Sequence, residues 1–453
     1  MTVTNRELAP TLDVADPPEE TLKKVLAAFA FAPMRPKPVV PVHTSDNAAG
    51  MSFENFKRML KPYQKSSPVP IATLWEQDPR RLLVADVQMR PDKPRPLFTE
   101  NDGTFVNSYR PPDHTASGGT VQPWIDFLDH LVPDSFEAQY VERWTAHKLR
   151  RPDIPGPGIM MVAGNDTFGT GRGTFFSILQ HLFGAGYCSS KRFRELAGKT
   201  GQSQYTDWME TSLIVTVNEV KETVGAGSYA AGASAYELLK EFIDPASRRL
   251  DMVRKGIGNG NGLTFASFIL ATNHRDALVI PPGDRRLFVC ENGAPMADTL
   301  RKSVNVWMSQ PENIAALARY LGDLDLGDFD PFAPPPMTDA KREMADFGHS
   351  DLDRAIDDAL DGMEGEAFSL DHVIRGIDRL LHTSTYGLAD GWQAIARNQL
   401  RRTLHRIGRH KGQNWQPTVD GRRCAVYART KPVAKKWTDK SPDHLACELR
   451  KNI

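Results

Sequence analysis

Three apolar runs of strand length stand in the middle of the chain, at 159–163 (IMMVA), 213–217 (LIVTV) and 265–272 (FASFILAT). None shows the apolar/polar alternation of a half-solvated strand, so they predict strands buried on both faces of a parallel sheet, with helical segments between them. That is the layout of an α/β core. Ahead of it, 124–131 and 136–149 carry apolar residues at helical spacing, and Asp134 or Ser135 is placed to cap the second helix. Further upstream, short apolar segments at 82–85 and 104–107 alternate with proline and charge, which predicts a small α+β lead-in. Residues 18–31 hold one amphipathic helix, and the proline-rich 33–41 reads as a semi-rigid linker. Beyond the core, a proline cluster at 331–336 marks a boundary. Helices are then expected at 369–381 and 392–407, followed by a hairpin that turns at Asp420-Gly421. Helices followed by a two-stranded wing predict a winged helix.

The expected organisation is therefore a tail and linker at 1–50, a lead-in at 51–115, helices at 116–155 and the core at 156–335. An acidic linker and helix at 336–366, the winged helix at 367–440 and a tail at 441–453 complete it. The 453 residues exceed the roughly 250 to 300 that one core supports, which agrees with two or three domains. Hydrophobic content of 40% and charged content of 25% are those of a chain that packs a core. The apolar runs fall well short of the ~20 residues of a membrane span, and the N-terminus lacks the basic start and apolar stretch of a signal peptide. The expectation is a cytoplasmic protein with no membrane partner.

Cys188, Cys290, Cys424 and Cys447 are scattered singly, indicating neither a disulfide framework nor a zinc site. Formal net charge is zero, but its distribution is uneven: 323–366 is acidic, whereas 397–440 is basic. DNA contacts outside the core are thus expected at the C-terminal end. In the expected recognition helix they fall to Arg397, Arg401 and Arg402, and in the wing to Arg422 and Arg423.

The first core strand runs into Gly164-Asn165-Asp166-Thr167-Phe168-Gly169-Thr170-Gly171-Arg172-Gly173-Thr174 and then a helical run. A glycine-rich turn between a buried strand and a helix aims backbone N–H groups and the helix's positive end at an anion, though it can also be a plain turn. The phosphate-loop fingerprint GxxxxGK[ST] fits in part: Arg172 takes the lysine's place, Asp166 that of the first glycine, and Gly173 that of the hydroxyl residue. The second run ends in Asn218-Glu219, where a buried strand would deliver Glu219 to polarise an attacking water and Asn218 to the magnesium position. Thr174 completes the candidate Mg2+ ligands.

The third run ends in Asn273, followed by His274-Arg275-Asp276 and, a little later, Gly283-Asp284-Arg285-Arg286. Together these segments resemble the superfamily 3 helicases, especially the helicase-like domain of phage and mobile-element primase-polymerases. The resemblance implies an AAA+-like P-loop core that binds ATP with Mg2+ through Gly164, Gly169, Thr170, Gly171, Arg172, Gly173, Thr174 and Asn218. It implies Asn273 as sensor of the γ-phosphate, and Arg285 or Arg286 as a finger entering the neighbouring subunit's site. In similar proteins a basic hairpin between the second and third strands grips DNA in a hexamer's channel, which nominates Arg254 and Lys255. Without the family, the arginine pair reads as surface charge and the hairpin as a charged surface turn.

The expected protein is an ATP-dependent DNA helicase or translocase of phage, prophage or plasmid replication. It would act as a hexameric ring on single-stranded or forked DNA. A separate primase or polymerase would be required, because the N-terminal region shows no cluster of metal-binding carboxylates. The alternative is a replication accessory protein that binds nucleotide and DNA with impaired hydrolysis, favoured by Arg172, Gly173 and Asn218.

Overall fold

The computed structural model describes residues 11–43, 50–64, 67–100, 103–164, 167–196, 206–218, 220, 236–237, 239–244, 248–254, 258–275, 277–278, 280–281, 283–347, 351–363 and 367–381, with short pieces at 410–411, 418–419, 422–423, 427–428, 447 and 449–451. The chain divides into two compact units, Met1–Ala345 and Asp346–Ile453.

The first unit opens with helix α1 (Pro18–Ala28), which runs directly into β1 (Phe29–Phe31). Strand β2 (Val39–Pro41) pairs antiparallel with β1, and β3 (Leu82–Leu83) pairs with it in parallel. The proline-rich stretch expected as a linker therefore carries a strand. Val39 and Val40 are both fully buried, and burial of two adjacent apolar residues holds the segment in the sheet despite its prolines. Helices α2 (Phe53–Leu60) and α3 (Ile71–Gln77) pack over this sheet through Phe56 and Trp75, whose rings lie 4.8 Å apart. A second small sheet, in the order β4-β6-β5, joins β4 (Asp86–Gln88), β5 (Leu97–Glu100) and β6 (Gly103–Asn107).

Two helices lead into the core, α4 (Gln122–Leu131) and α5 (Ser135–Arg150), the latter capped by Asp134, whose carboxylate accepts from Glu137 N at 2.9 Å. Then follow β7 (Gly158–Val162), α6 (Arg172–Phe183), β8 (Cys188–Arg192), the short α7 (Phe193–Leu196) and β9 (Ile214–Asn218). The antiparallel hairpin of β10 (Arg249–Arg254) and β11 (Gly258–Leu263) precedes β12 (Ser267–Thr272) and β13 (Leu287–Glu291). Five of these strands form one all-parallel sheet in the order β13-β7-β12-β9-β8. Helices α8 (Asp298–Met308), α9 (Pro311–Asp323) and α10 (Asp339–Phe347) close the unit.

Alternation along the strands explains the unbroken apolar runs. Ile159, Met161, Ile214 and Ile269 pack on one face against α4, α5, α6, α8 and α9. Met160, Val162, Val215, Val217 and Leu270 pack on the other face, with Met252 of the hairpin and with Ala340 and Met344 of α10. Both faces are covered, so neither needs polar positions. Helix α10 thus belongs to the core, although its acidic sequence reads as linker. Along the outer edge of β13, side chains take up backbone groups: Lys341 Nζ donates to Leu287 O at 2.8 Å, Thr338 Oγ1 to Val289 O at 2.6 Å, and Glu291 N donates to Glu137 Oε2 at 2.9 Å. Among the described residues no helix is long and apolar enough to cross a membrane.

In the second unit, α11 (Asp351–Asp361) and α12 (Leu370–Leu381) enclose a small core of Ile356, Leu360, Phe368, Val373, Ile377 and Tyr427. Strands β14 (Ala367–Phe368), β15 (His410–Lys411) and β18 (Tyr427–Ala428) form a sheet in the order β14-β18-β15, while β16 (Thr418–Val419) and β17 (Arg422–Arg423) pair about the expected turn at 420–421; Tyr427 and Ala428, expected in the hairpin's second strand, belong to the other sheet. The expected recognition helix, with Arg397, Arg401 and Arg402, lies outside the described residues.

Candidate functional site

Because the five core strands are parallel, their C-terminal ends share one edge of the sheet, where ligands of open α/β sheets bind near a reversal of strand order. Here the reversal falls at β7: the chain first builds outward to β8 and back through β9 and β12, then crosses to β13 on the other side. The loop leaving β7 at this point is the glycine-rich one. It ends at Gly171, whose φ of +108° and lack of a Cβ suit the position, since an added Cβ would lie 3.0 Å from the Phe127 ring. Gly171 caps α6 without a side chain, leaving the first-turn N–H groups of Arg172, Gly173 and Thr174 without intrahelical acceptors. Just before it, Thr170 is 1% exposed and its Oγ1 has no hydrogen-bond partner among the described residues. A buried hydroxyl left unpaired beside an uncapped helix start offers the donors that an anion would take up. Gly169 (φ +72°) and Gly173 are exposed, with nothing within 4 Å of where a Cβ would stand.

Strand β12 lies between β7 and β9, so its end faces both neighbours. Ala163 N donates to Thr272 O at 3.0 Å, and Val220 N donates to Ala271 O at 3.4 Å. Asn273 therefore stands one strand away from the loop at Gly164 and one from Asn218. The guanidinium of Arg172 reaches across to this strand, bonding Thr272 O at 2.9 Å and the side-chain oxygen of Asn273. Partial burial holds its pKa below the ordinary arginine value. Asn218 is exposed and turns its amide to Ser190 Oγ at 3.2 Å. Thr174 is half-buried on α6, and Glu219 lies outside the described residues. Among the described residues no group of three His, Cys, Asp or Glu stands together as a metal cage.

The two expected finger arginines lie on the opposite edge of the sheet. Arg286 O accepts from Gly158 N at 2.8 Å, at the start of β7, whereas the glycine-rich loop leaves its end. Five residues of strand separate them, roughly 16 Å at ~3.3 Å per residue. The pair also divides in role: Arg286 is ion-paired to Asp244 at 2.9 Å, while Arg285 is exposed. Of the expected DNA contacts, Arg254 ends β10, Lys255 lies outside the described residues, and Arg422 and Arg423 form β17.

Residues that sequence reasoning passed over surround Arg285: Tyr236, Asp244 and Lys341 all bond its immediate neighbours. No motif marks them, because Tyr236 and Asp244 come from one segment and Lys341 from another almost a hundred residues further on.

No family model matches the chain, and neither does any curated protein. Solved structures do. Two apo structures of the NrS-1 C-terminal region (305–718) superpose with a TM-score of 0.61 at 16% identity, covering 88% of this chain and 96% and 95% of theirs. A further apo form of that region gives 0.58 over 83% of this chain and 91% of its own. At this identity the likeness is one of fold.

Proposed function

We propose that the chain is an ATP-dependent DNA helicase or translocase of phage, prophage or plasmid replication, working as a ring of identical subunits. The observation that carries this reading is the grouping at the C-terminal edge of the sheet: an uncapped helix start behind Gly171, the unpaired buried hydroxyl of Thr170, Arg172, and Asn273 on the inserted strand. This set fits a polyphosphate, with N–H donors and one guanidinium for the oxygens and Asn273 for the terminal group. Mg2+ would be held by Thr174, Asn218 and Glu219 together with the phosphates, and it would supply charge neutralisation there. The position of Arg285, a strand's length from its own loop, supports action on a neighbour's nucleotide and so supports a ring. The fold likeness to the NrS-1 C-terminal region is compatible with this reading.

A second reading is favoured by the bond between Arg172 and Asn273 and by the neutral Asn218: an accessory protein that binds nucleotide and DNA but hydrolyses ATP slowly. Steady-state hydrolysis by purified protein with and without single-stranded DNA separates the two. DNA-stimulated turnover supports the motor, and nucleotide binding with negligible turnover supports the accessory protein. Absence of nucleotide binding removes both.

A further inference from the structure

A buried ion pair sits at the edge of the sheet away from the glycine-rich loop. Lys341 Nζ lies 3.0 Å from Asp284 Oδ2, with the two side chains 1% and 0% exposed. The same ammonium donates to the carbonyls of Asp284 at 3.0 Å and Leu287 at 2.8 Å. The Asp284 carboxylate also accepts from Leu287 N at 3.0 Å and from the Tyr236 hydroxyl. Lys341 is itself fixed in the first turns of α10, where its N–H donates to Thr338 Oγ1 at 3.1 Å. Next to Asp284, Arg286 is drawn to Asp244. Two separate segments, 236–244 and the start of α10, therefore hold the residues on either side of Arg285, and of Asp284, Arg285 and Arg286 it is Arg285 that is exposed.

A buried ion pair is weak evidence for stability, since well-packed apolar residues of equal volume serve as well or better, and its better attested use is to specify one arrangement. Here the arrangement specified is the turn that presents Arg285. We propose that the Lys341–Asp284 pair, with the Tyr236 hydroxyl, is a positioning device that aims Arg285 at the nucleotide of the adjacent subunit. The inference rests on the reading of Arg285 as a finger acting between subunits. Lys341, Asp284 and Tyr236 touch no nucleotide, and their effect reaches turnover through Arg285. Charge stabilisation of this kind depends on placement, and a displacement of about 1 Å can cost on the order of 100-fold in rate.

The test uses the full chain with Lys341→Met, which removes the ammonium while keeping an unbranched apolar stem, and Tyr236→Phe, which removes a single donor to Asp284. Assembly state, affinity for a fluorescent ATP analogue, kcat and KM are measured for each. Lys341→Met is expected to lower kcat by ~10- to 100-fold and Tyr236→Phe by less, with KM and analogue affinity within about 3-fold of the parent. Mixing either variant with Glu219→Gln should restore activity, because the Glu219→Gln subunit presents a correctly aimed Arg285 to an intact neighbouring site. If Lys341→Met does not assemble, Tyr236→Phe carries the decision. Parental kcat in the assembled variants overturns the inference. So does lost activity that Glu219→Gln fails to restore while it does restore Arg285→Ala. Failure to restore Arg285→Ala instead overturns the finger reading beneath it, and a parent that hydrolyses no ATP overturns both.

Discussion

The guanidinium of Arg172 is bonded to the side-chain oxygen of Asn273, a hundred and one residues further along the chain. The residue at the phosphate-binding lysine's place is thus tied to the residue at the sensor's place. On the proposed reading a bound γ-phosphate would compete with Asn273 for the same guanidinium, which would link nucleotide occupancy to the state of Asn273 through one side chain.

Arginine keeps the positive charge, but its planar fork is wider than a compact ammonium and its donors are fixed in direction. Binding should therefore be retained better than turnover. Arg172→Lys combined with Gly173→Ser is expected to raise kcat by at least ~10-fold, about 1.4 kcal/mol of transition-state stabilisation, with little change in nucleotide affinity. The serine has room, since nothing lies within 4 Å of a Cβ at Gly173. Steady-state hydrolysis and an equilibrium binding titration check this. A fall in turnover would show that the loop works around arginine.

The adjacent arginines should behave differently. Arg285→Ala is expected to abolish hydrolysis while leaving thermal stability and nucleotide affinity unchanged, because Arg285 is exposed. Arg286→Ala breaks the pair with Asp244 and should destabilise the fold by about 1–3 kcal/mol. Thermal unfolding and hydrolysis measured on both variants distinguish them, and a stable Arg286→Ala with lost activity would exchange the two roles.

Much of the candidate site was legible because its strands are buried on both faces. β7, β9 and β12 announce themselves as apolar runs, and the glycine-rich loop and Asn273 follow from where those runs end. Strand β8 was not legible: Cys188-Ser189-Ser190-Lys191-Arg192 is polar and lies at an edge, so burial leaves no pattern in it. β1 was read as the last turn of the helix expected over 18–31, because its apolar residues continue the helical pattern, and β2 was hidden by the prolines around it. Lys341 was hidden by the acidic residues of its segment, and the partners of Arg172 and Asp284 depend on chain crossings that no local pattern encodes.

The second unit should bind DNA mainly through phosphates, given the basic charge of its sequence over 397–440. For a 346–453 fragment on duplex DNA, the log–log dependence of affinity on salt is expected to have a slope near −0.9 per phosphate neutralised. Titration at two ionic strengths measures it. No affinity at low salt would remove this unit from DNA binding.

Burial pushes the Glu137 carboxyl up to about 7, against the opposing effect of the Glu291 N–H donated to it. Its folded pKa lies above the ordinary value of 4.5, so the stabilisation from this shift is full below 4.5 and is lost as pH rises through about 7. Glu137→Gln keeps an acceptor for Glu291 N and stays neutral at every pH. Its melting temperature relative to the parent should therefore be higher at pH 8 than at pH 5. An offset that does not change with pH would place the titration elsewhere.

The side chains along the outer edge of β13 have a consequence for self-association. An open strand edge is a template on which another chain can add by backbone pairing, the usual route to runaway aggregation. With Leu287 O, Val289 O and Glu291 N already bonded to Lys341, Thr338 and Glu137, that template is largely filled, and at the far edge β8 carries Lys191 and Arg192. In the proposed assembly, copies of this chain would then meet through side chains rather than through a shared sheet. Such joints could loosen and re-form one at a time, as the proposed ring would need to do to close around a strand that has no free end.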